Sequence, residues 1–449
     1  MNQLEKKYGL ATAICMVVGI VIGSGVFFKA ETVLIRTEGN MPLGILAWIL
    51  VGAIMVVSSY VFATMANRYE KVNGLVDYAE ATLGKRYAYN MGWFMATIYT
   101  PALVAVLAWV CARYTCSLLG WDPTGGACMT IAAVYLCVDF AMNALSPKLS
   151  GKFQVSTTII KMIPLILMAI IGTIFGLSNS TLITEFTQTP TSTVPFMEGL
   201  TGAVVSVAFA CEGWILATSI NAELKNAKRN LPLALMIGAA VVVSTYILYY
   251  VGITGAVGSN ILLGSGENGV RIAFSTLFGQ TAGTLVFVLI VISCMGTLNG
   301  LMLACCRSMY ALACRNDGPL PELFKQVDGY TNMPTNSSII GLALASFWLF
   351  YFYGACLGGG WFGNFSFDSS ELPIITVYGM YIPMFIQFMR ISTDLKPFSR
   401  YVMPLLAIVG SLVMVYAAFT AYGVSTVCHY LIVYVVIMVI GNLFYKSKK

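Results

Sequence analysis

The chain consists mainly of long apolar segments that are separated by short polar connections. A helix that crosses a bilayer needs about 20 predominantly apolar residues, and twelve segments meet this requirement. No connection is long enough to hold a separate soluble domain. The pattern therefore predicts an all-α integral membrane protein with twelve transmembrane helices. The predicted spans are 9–37, 42–66, 88–119, 126–145, 153–176, 196–222, 231–256, 282–314, 337–353, 372–391, 402–421 and 425–445.

Composition supports the same class of protein. Of the 449 residues, 58% are hydrophobic and 10% are charged, whereas soluble domains carry about 25% charged residues. The first apolar segment lacks the short apolar core and small-residue cleavage site of a signal peptide, so we expect it to stay as a membrane span.

The basic residues predict the orientation in the membrane. With the N-terminus in the cytoplasm, twenty lysines and arginines fall on the inner side and four on the outer side. This bias follows the positive-inside rule, so both termini are expected in the cytoplasm and the protein in the plasma (inner) membrane. The net charge of +6 then reflects topology, and no nucleic-acid partner is expected. The four outer residues are Lys29, Arg36, Arg113 and Arg271.

The first predicted span contains its own helix breaker. Gly23, Ser24 and Gly25 lie near its middle, and each glycine costs a helix about 1 kcal/mol relative to alanine. Irregular backbone at membrane depth is tolerated only where it lines a cavity or is buried in protein. The run predicts an interrupted helix with a binding site, or close helix packing through small residues.

The sixth predicted span has a matching feature. Glu212 and Gly213 lie within it, and a carboxyl group at this depth is expensive unless it faces a polar cavity. Span six opens a second set of five spans as span one opens the first. Paired interrupted helices at such positions are typical of inverted-repeat transporters with a site near the midplane. We expect one repeat over 1–176, a second over 177–400, and two further helices over 401–449.

The two interruptions predict a site for both charged groups of an amino acid. The helix that starts near Gly25 directs free N–H groups and its positive dipole end towards the cavity, which favours a carboxylate. The helices that end near Val21 and Phe209 direct unpaired carbonyls towards it, which favours an ammonium. The candidate substrate-binding residues are Val21, Ile22, Gly23, Ser24, Gly25, Phe209, Ala210 and Glu212.

Several motifs together resemble a known family. Residues Gly19–Phe27 are similar to its first-helix motif, Phe209–Trp214 and Glu223–Pro232 to its sixth helix and following loop, and Ile292–Gly300 and Asp317–Pro321 to its eighth helix and loop. The chain resembles the amino acid–polyamine–organocation superfamily, within it the L-type branch of bacterial exchangers. The resemblance implies a fold of two inverted five-helix repeats with broken helices 1 and 6, and exchange of amino acids by alternating access.

Lys161 lies inside the fifth predicted span, where a lysine costs at least about 2.5 kcal/mol at the bilayer centre. The resemblance implies that its ammonium replaces a sodium ion and bonds Gly19 and Ser293, which makes transport sodium-independent. Two alternatives stay open. The side chain could reach the cytoplasmic interface, or it could couple transport to protons, because a buried lysine can release its proton.

Glu212 departs from the family pattern, in which an uncharged residue or an aspartate is usual. One interpretation is that Glu212 pairs with the cationic side chain of a substrate such as arginine, lysine or ornithine. The other is a structural or protonated carboxyl that bonds neighbouring helices.

The remaining candidates are aromatic side chains and loop carboxylates. Tyr99, Trp214, Tyr246 and Tyr250 are possible gates of the cavity, or ordinary aromatic residues in helix packing. Asp77 and Glu80 precede the third predicted span, and we expect them to be solvated charges.

These features predict a sodium-independent transporter, an exchanger of neutral L-amino acids, and not an enzyme; transport of cationic amino acids stays open with the role of Glu212. We expect no cofactor, no metal and no obligate protein partner; the partners are amino acid substrates and the lipid bilayer. A proton-coupled symporter and an amino acid sensor on the same fold are the alternatives.

Overall fold

The computed structural model describes residues 6, 8–23, 25–69, 74–187, 194–265 and 268–446. In this part of the chain, the only extended pairing is a parallel bridge between Tyr8 and Leu224, so the predicted all-α class is confirmed. The α-helices are α1 (Leu10–Val21), α2 (Gly25–Arg36), α3 (Met41–Arg68), α4 (Leu75–Leu83), α5 (Lys85–Leu119), α6 (Gly126–Leu145), α7 (Pro147–Ser178), α8 (Thr181–Thr187), α9 (Phe196–Ala210), α10 (Ala227–Val257), α11 (Ser259–Ser265), α12 (Asn268–Phe278), α13 (Gln280–Ala313), α14 (Pro321–Phe324), α15 (Thr335–Leu357), α16 (Leu372–Ile391) and α17 (Phe398–Asn442). Two 3₁₀ helices cover Trp214–Glu223 and Gly363–Phe365.

Ten helices of the described residues are long and apolar enough to cross a membrane, and α1 with α2 form an eleventh candidate. Their bounds follow the predicted spans closely. The sixth span is counted as Phe196–Thr218, that is α9 with the first part of the following 3₁₀ helix. The largest difference at the start of a span is at α7, which begins at Pro147 instead of 153. Its first turns are polar, and a proline is tolerated in the first turn of a helix, where its missing N–H has no partner to lose.

The last predicted pair of spans forms one element, α17. Gly423 interrupts it with φ 77° and ψ 152°, values outside the helical region. The predicted spans 402–421 and 425–445 lie on either side of this glycine. The chain therefore changes direction at the position where the sequence predicts a connection.

Glycines with positive φ end several helices. Gly84 (φ 85°) separates α4 from α5, and Gly258 (φ 82°) and Gly279 (φ 84°) end α10 and α12. Only glycine adopts such values without steric cost. The polar connections consequently hold short helices instead of a folded domain.

Small residues bring α7 and α10 into close contact. A Cβ atom on Gly176 would lie 2.6 Å from the Cα atom of Gly255, and Gly172 and Gly252 contact each other through the backbone in the same way. Close approach through small residues is the usual basis of helix packing in membranes. The first span has close contacts too, since a Cβ atom on Gly23 would lie 2.5 Å from the Oγ1 atom of Thr297, but there the helix is also interrupted.

Candidate functional site

The first predicted span is interrupted at the expected place. Helix α1 ends at Val21 and α2 begins at Gly25, and their axes differ by 41°. The backbone N–H of Ile22 still donates to the carbonyl of Val18 at 2.8 Å, and the chain then leaves the helical path. Ser24, a predicted substrate-binding residue, lies outside the described residues.

The sixth predicted span is interrupted as well. Helix α9 ends at Ala210, and Gly213 has φ 93° before the 3₁₀ helix that starts at Trp214. A side chain would strain the backbone at this φ value, which explains a glycine directly after Glu212. Both interruptions leave helix-end N–H and carbonyl groups without intrahelical partners.

The two interruptions contact each other. A Cβ atom on Gly25 would lie 2.9 Å from the Cα atom of Ala210, and one on Gly213 would lie 2.8 Å from the Cγ2 atom of Ile20. A cavity of about 30 Å³ lies between them. It is lined by the backbone at both interruptions and by side chains of α5 and α13; these residues are Ile20, Val21, Gly23, Gly25, Leu103, Leu107, Phe209, Ala210, Glu212, Gly213, Thr297 and Leu301.

The volume of this cavity suits one water molecule, which occupies about 30 Å³ in the liquid. Sites for small molecules usually measure about 300–1,000 Å³. An amino acid therefore fits between the interruptions only when the surrounding helices move apart.

Lys161 of α7 holds the end of α1. Its ammonium is fully buried and donates to the carbonyl of Gly19 at 2.8 Å and to the carbonyl of Ile22. It also donates to the Oγ1 atom of Thr297 at 3.2 Å. The side chain thus lies among main-chain carbonyls next to the cavity, and its ammonium does not reach the membrane interface.

The hydroxyl that contacts Lys161 belongs to Thr297, so the expected contact with Ser293 was wrong. Thr297 Oγ1 also lies 3.1 Å from the carbonyl of Gly19 and 2.9 Å from that of Ile22. Ser293 is buried one helical turn away, and its Oγ atom has no hydrogen-bond partner in the structure. Residues four apart share a helix face, and here the later one reaches the carbonyls.

Tyr246 of α10 contacts the same helix end. Its hydroxyl donates to the carbonyl of Val21 at 2.8 Å. The carbonyls of Val21 and Ile22, both predicted to bind substrate, therefore already accept hydrogen bonds from side chains. A carbonyl oxygen has two lone pairs, so that of Val21 can accept one more donor, whereas that of Ile22 already lies within reach of both Lys161 and Thr297.

Glu212 contacts the cavity from the second interruption. It is 6% exposed, and its Oε1 atom accepts a hydrogen bond from the hydroxyl of Tyr99. Its Oε2 atom is buried without a hydrogen-bond partner in the structure. Tyr99 ends a π-helical turn of α5, Met95–Tyr99; such turns occur frequently at functional sites.

The other two aromatic candidates lie further from the cavity. The ring of Trp214 packs 5.8 Å from that of Phe62, and the ring of Tyr250 lies 6.2 Å from that of Trp48. Neither lines the cavity. Of the four predicted gates, Tyr99 and Tyr246 contact residues that line it.

A buried charge cluster joins α2 to the start of α16. Lys29 pairs with Glu371, and both are less than 10% exposed. The hydroxyl of Tyr422 donates to the second oxygen of Glu371. The Lys29 ammonium also lies 4.8 Å from the ring centroid of Phe209, which lines the cavity. This pairing was not predicted from the sequence.

A second ion pair joins α4 to the segment after α13. Asp77 of α4 is 2% exposed and pairs with Arg315, which follows α13. The expectation that Asp77 is solvated was therefore wrong, because its partner lies more than two hundred residues away in the chain. The backbone N–H of Lys225 also donates to the carbonyl of Tyr8 at 2.8 Å. This bond joins the segment before α1 to the loop after the second interruption.

A helical bundle of membrane spans with a cavity between two interrupted helices is typical of a class of solute transporter. Residues 8–441 match the family described as amino acid permease. The chain belongs to this family, within the amino acid–polyamine–organocation superfamily, and is thus a multi-pass membrane transporter of amino acids and not an enzyme.

Three relatives illustrate this membership. The chain is similar to the serine/threonine exchanger SteT of Bacillus subtilis, with 30% identity over 91% of this chain and 90% of that protein. It is 24% identical to the human cystine/glutamate transporter over 78% of this chain and 68% of that one. It is 27% identical to the mouse b(0,+)-type amino acid transporter 1 over 69% of this chain and 63% of that one.

Proposed function

We propose that the protein is a sodium-independent exchanger of amino acids that works by alternating access. The observation that carries this proposal is the position of Lys161. Its ammonium lies among the carbonyls of Gly19 and Ile22 and the hydroxyl of Thr297. A set of oxygen ligands of this kind suits a hard cation. A fixed ammonium already supplies the positive charge, so no sodium ion is needed.

The proposed topology has twelve spans with both termini in the cytoplasm of a plasma membrane. The inverted repeats cover 1–176 and 177–400, and 401–449 supply the last two helices. The matching interruptions and the non-helical Gly423 within α17 support this arrangement. We propose that the chain acts without an obligate protein partner.

The substrate is held through its backbone groups. Its carboxylate faces the N–H groups at the start of α2, where Gly23 and Gly25 line the cavity, because a helix N-terminus favours an anion. Its ammonium faces the carbonyls at the ends of α1 and α9, including Val21 and Phe209. Ala210 contacts Gly25 closely and sets the distance between these two groups.

The rest of the cavity indicates the kind of side chain. Leu103, Leu107 and Leu301 give it an apolar wall, which suits neutral amino acids. The similarity to a serine/threonine exchanger agrees with a small neutral substrate. A second candidate class is cationic amino acids, favoured by the buried Oε2 atom of Glu212, which has no hydrogen-bond partner in the structure.

Counterflow in proteoliposomes tests this function. Vesicles loaded with unlabelled amino acid, in sodium-free buffer, should accumulate radiolabelled amino acid, whereas unloaded vesicles should not. Uptake into unloaded vesicles that follows an imposed proton gradient would instead indicate a symporter. Saturable binding without flux would indicate a sensor.

The Glu212→Gln variant decides between the two interpretations of this carboxyl. If Glu212 pairs with a cationic side chain, the variant should lose basic substrates selectively and keep neutral ones. An unchanged ratio of basic to neutral uptake would assign Glu212 to bonds with neighbouring helices, among them its contact with Tyr99. Tyr99→Phe is the matched control, because it removes that contact and keeps the carboxylate.

A further inference from the structure

A second cavity, of about 460 Å³, lies far from the interrupted helices. It is bounded by α16, by both parts of α17 and by the start of α5. Several residues that line it are partly exposed, among them Thr376, Tyr434 and Met438. The cavity is therefore a groove that opens on the surface of the bundle, and its volume falls within the usual range for ligand sites.

The polar groups of the groove already have partners in the protein. The hydroxyl of Tyr87 donates to the carbonyl of Met380 at 2.6 Å, and the hydroxyls of Thr376 and Tyr430 are 2.6 Å apart. At one end of the groove, Asn442 donates to Asn90 at 3.1 Å. An occupant needs to satisfy none of these groups, so hydrocarbon suits the groove.

The length of the groove fits an acyl chain. It extends along α17 from Val427 to Asn442, which corresponds to about 22 Å at the helical rise of 1.5 Å per residue. The hydrocarbon core of a bilayer is about 30 Å thick. The groove is therefore longer than the hydrocarbon depth of one leaflet, which is half of this thickness, and shorter than that of the whole bilayer.

The end of the groove near Asn90 and Asn442 carries positive charge. Lys85 and Arg86 lie at the start of α5, and Lys446 follows α17; all three are exposed. Asp317 lies near Lys85 and Arg315 and accepts a hydrogen bond from the backbone N–H of Lys446. Arg315 also pairs with Asp77 and Glu80. Four basic groups against three acidic groups leave a net positive charge, which favours an anionic headgroup at this end.

We propose that this groove binds one anionic glycerophospholipid, with an acyl chain between α16 and α17 and its headgroup at Lys85, Arg86 and Lys446. Gly379 of α16 provides the means to test it. A Cβ atom on Gly379 would meet only the Cγ2 atom of Val415, at an ordinary 3.8 Å. A large side chain at this position therefore fills the groove without displacing the backbone.

The experiment uses nanodiscs of equal parts phosphatidylglycerol and phosphatidylcholine. Each lipid is added in turn with a photoreactive group on its acyl chain, and cross-linked peptides are identified by mass spectrometry. In the wild type, phosphatidylglycerol should label 372–380 and 427–438. Gly379→Leu should reduce this labelling at least tenfold, whereas Gly379→Ala, which leaves the groove open, should keep it.

A second variant tests the headgroup. Replacing Lys85, Arg86 and Lys446 by glutamine should remove the preference for phosphatidylglycerol over phosphatidylcholine and leave acyl-chain labelling in place. Substrate binding, measured as an increase in the unfolding temperature, verifies that each variant is folded. Equal groove labelling of wild type and Gly379→Leu would overturn the proposal. So would a wild-type dimer that Gly379→Leu converts to a monomer, because a second copy would then fill the groove.

Discussion

The buried ammonium of Lys161 allows the most detailed prediction. Lys161→Met removes the donor that serves the carbonyls of Gly19 and Ile22 and leaves a side chain of similar length. The hydroxyl of Thr297 lies within reach of both carbonyls but donates to one at a time. One buried carbonyl then loses its partner, which costs about 1–3 kcal/mol.

Two further variants set the scale. Thr297→Val keeps the shape of the side chain and removes one hydroxyl while Lys161 still serves both carbonyls, so the loss should be about 0.5–1.5 kcal/mol. Ser293→Ala removes a hydroxyl that has no hydrogen-bond partner in the structure, so its effect should be close to zero. About 1.4 kcal/mol corresponds to a factor of ten in an equilibrium constant. The counterflow rate of Lys161→Met should therefore fall roughly 5-fold to 150-fold.

The assay is counterflow of labelled amino acid in sodium-free proteoliposomes, together with thermal unfolding of the purified variants. Lys161→Met should lose the most counterflow activity and stability, and Thr297→Val should lose less. Ser293→Ala should behave as the wild type. A Ser293→Ala variant as impaired as Thr297→Val would refute the assignment of the hydroxyl. A Lys161→Met variant with wild-type rates would refute the role of the ammonium.

Two other substitutions follow from the contacts around the cavity. Tyr246→Phe removes the hydrogen bond to the carbonyl of Val21 and should slow counterflow several-fold, about 0.5–1.5 kcal/mol. Tyr250→Phe removes a hydroxyl that has no hydrogen-bond partner in the structure and should leave counterflow unchanged. Equal slowing by the two variants would contradict the role of the Tyr246 hydroxyl at the end of α1. Glu371→Gln removes the carboxylate that pairs with the buried Lys29; breaking a buried ion pair costs up to about 3–5 kcal/mol, so the variant should have a lower unfolding temperature. The double variant with Lys29→Met should recover most of that loss; no recovery would show that the pair is not coupled.

The interruptions of the helices were predictable from the sequence. Glycines and a carboxyl group within apolar spans are costly, and irregular backbone at that depth needs a protein environment. Gly25 and Gly213 are found at helix ends for this reason. The glycines of α7 and α10, by contrast, serve packing. Glycine content alone does not distinguish an interrupted helix from close helix packing. The carboxyl group of Glu212 in the sixth span indicates an interruption.

The choice between neighbouring side chains was less predictable. Ser293 and Thr297 both belong to the eighth-helix motif and lie on one helix face. A small rotation or shift of α13 decides which hydroxyl reaches Lys161. The same limit applies to Tyr246 and Tyr250, one turn apart on α10, of which the first caps Val21.

Charge pairs between distant parts of the chain were not predictable at all. Lys29 was recognised only as an outer positive charge, and its partner Glu371 lies in the connection before α16. Asp77 was expected in solvent and is buried against Arg315. Both pairings depend on which helices become neighbours, which the local pattern of polar residues does not contain.

The central claim is that main-chain groups at the two interruptions hold both charged ends of an amino acid. The most direct measurement is competition for counterflow by matched analogues, such as serine, ethanolamine without the carboxylate, and 3-hydroxypropanoate without the ammonium. A hydrogen bond to a charged group contributes about 1.5–3 kcal/mol. We therefore expect each analogue to compete at least about tenfold more weakly than the intact amino acid. Equal competition by either analogue would contradict the account.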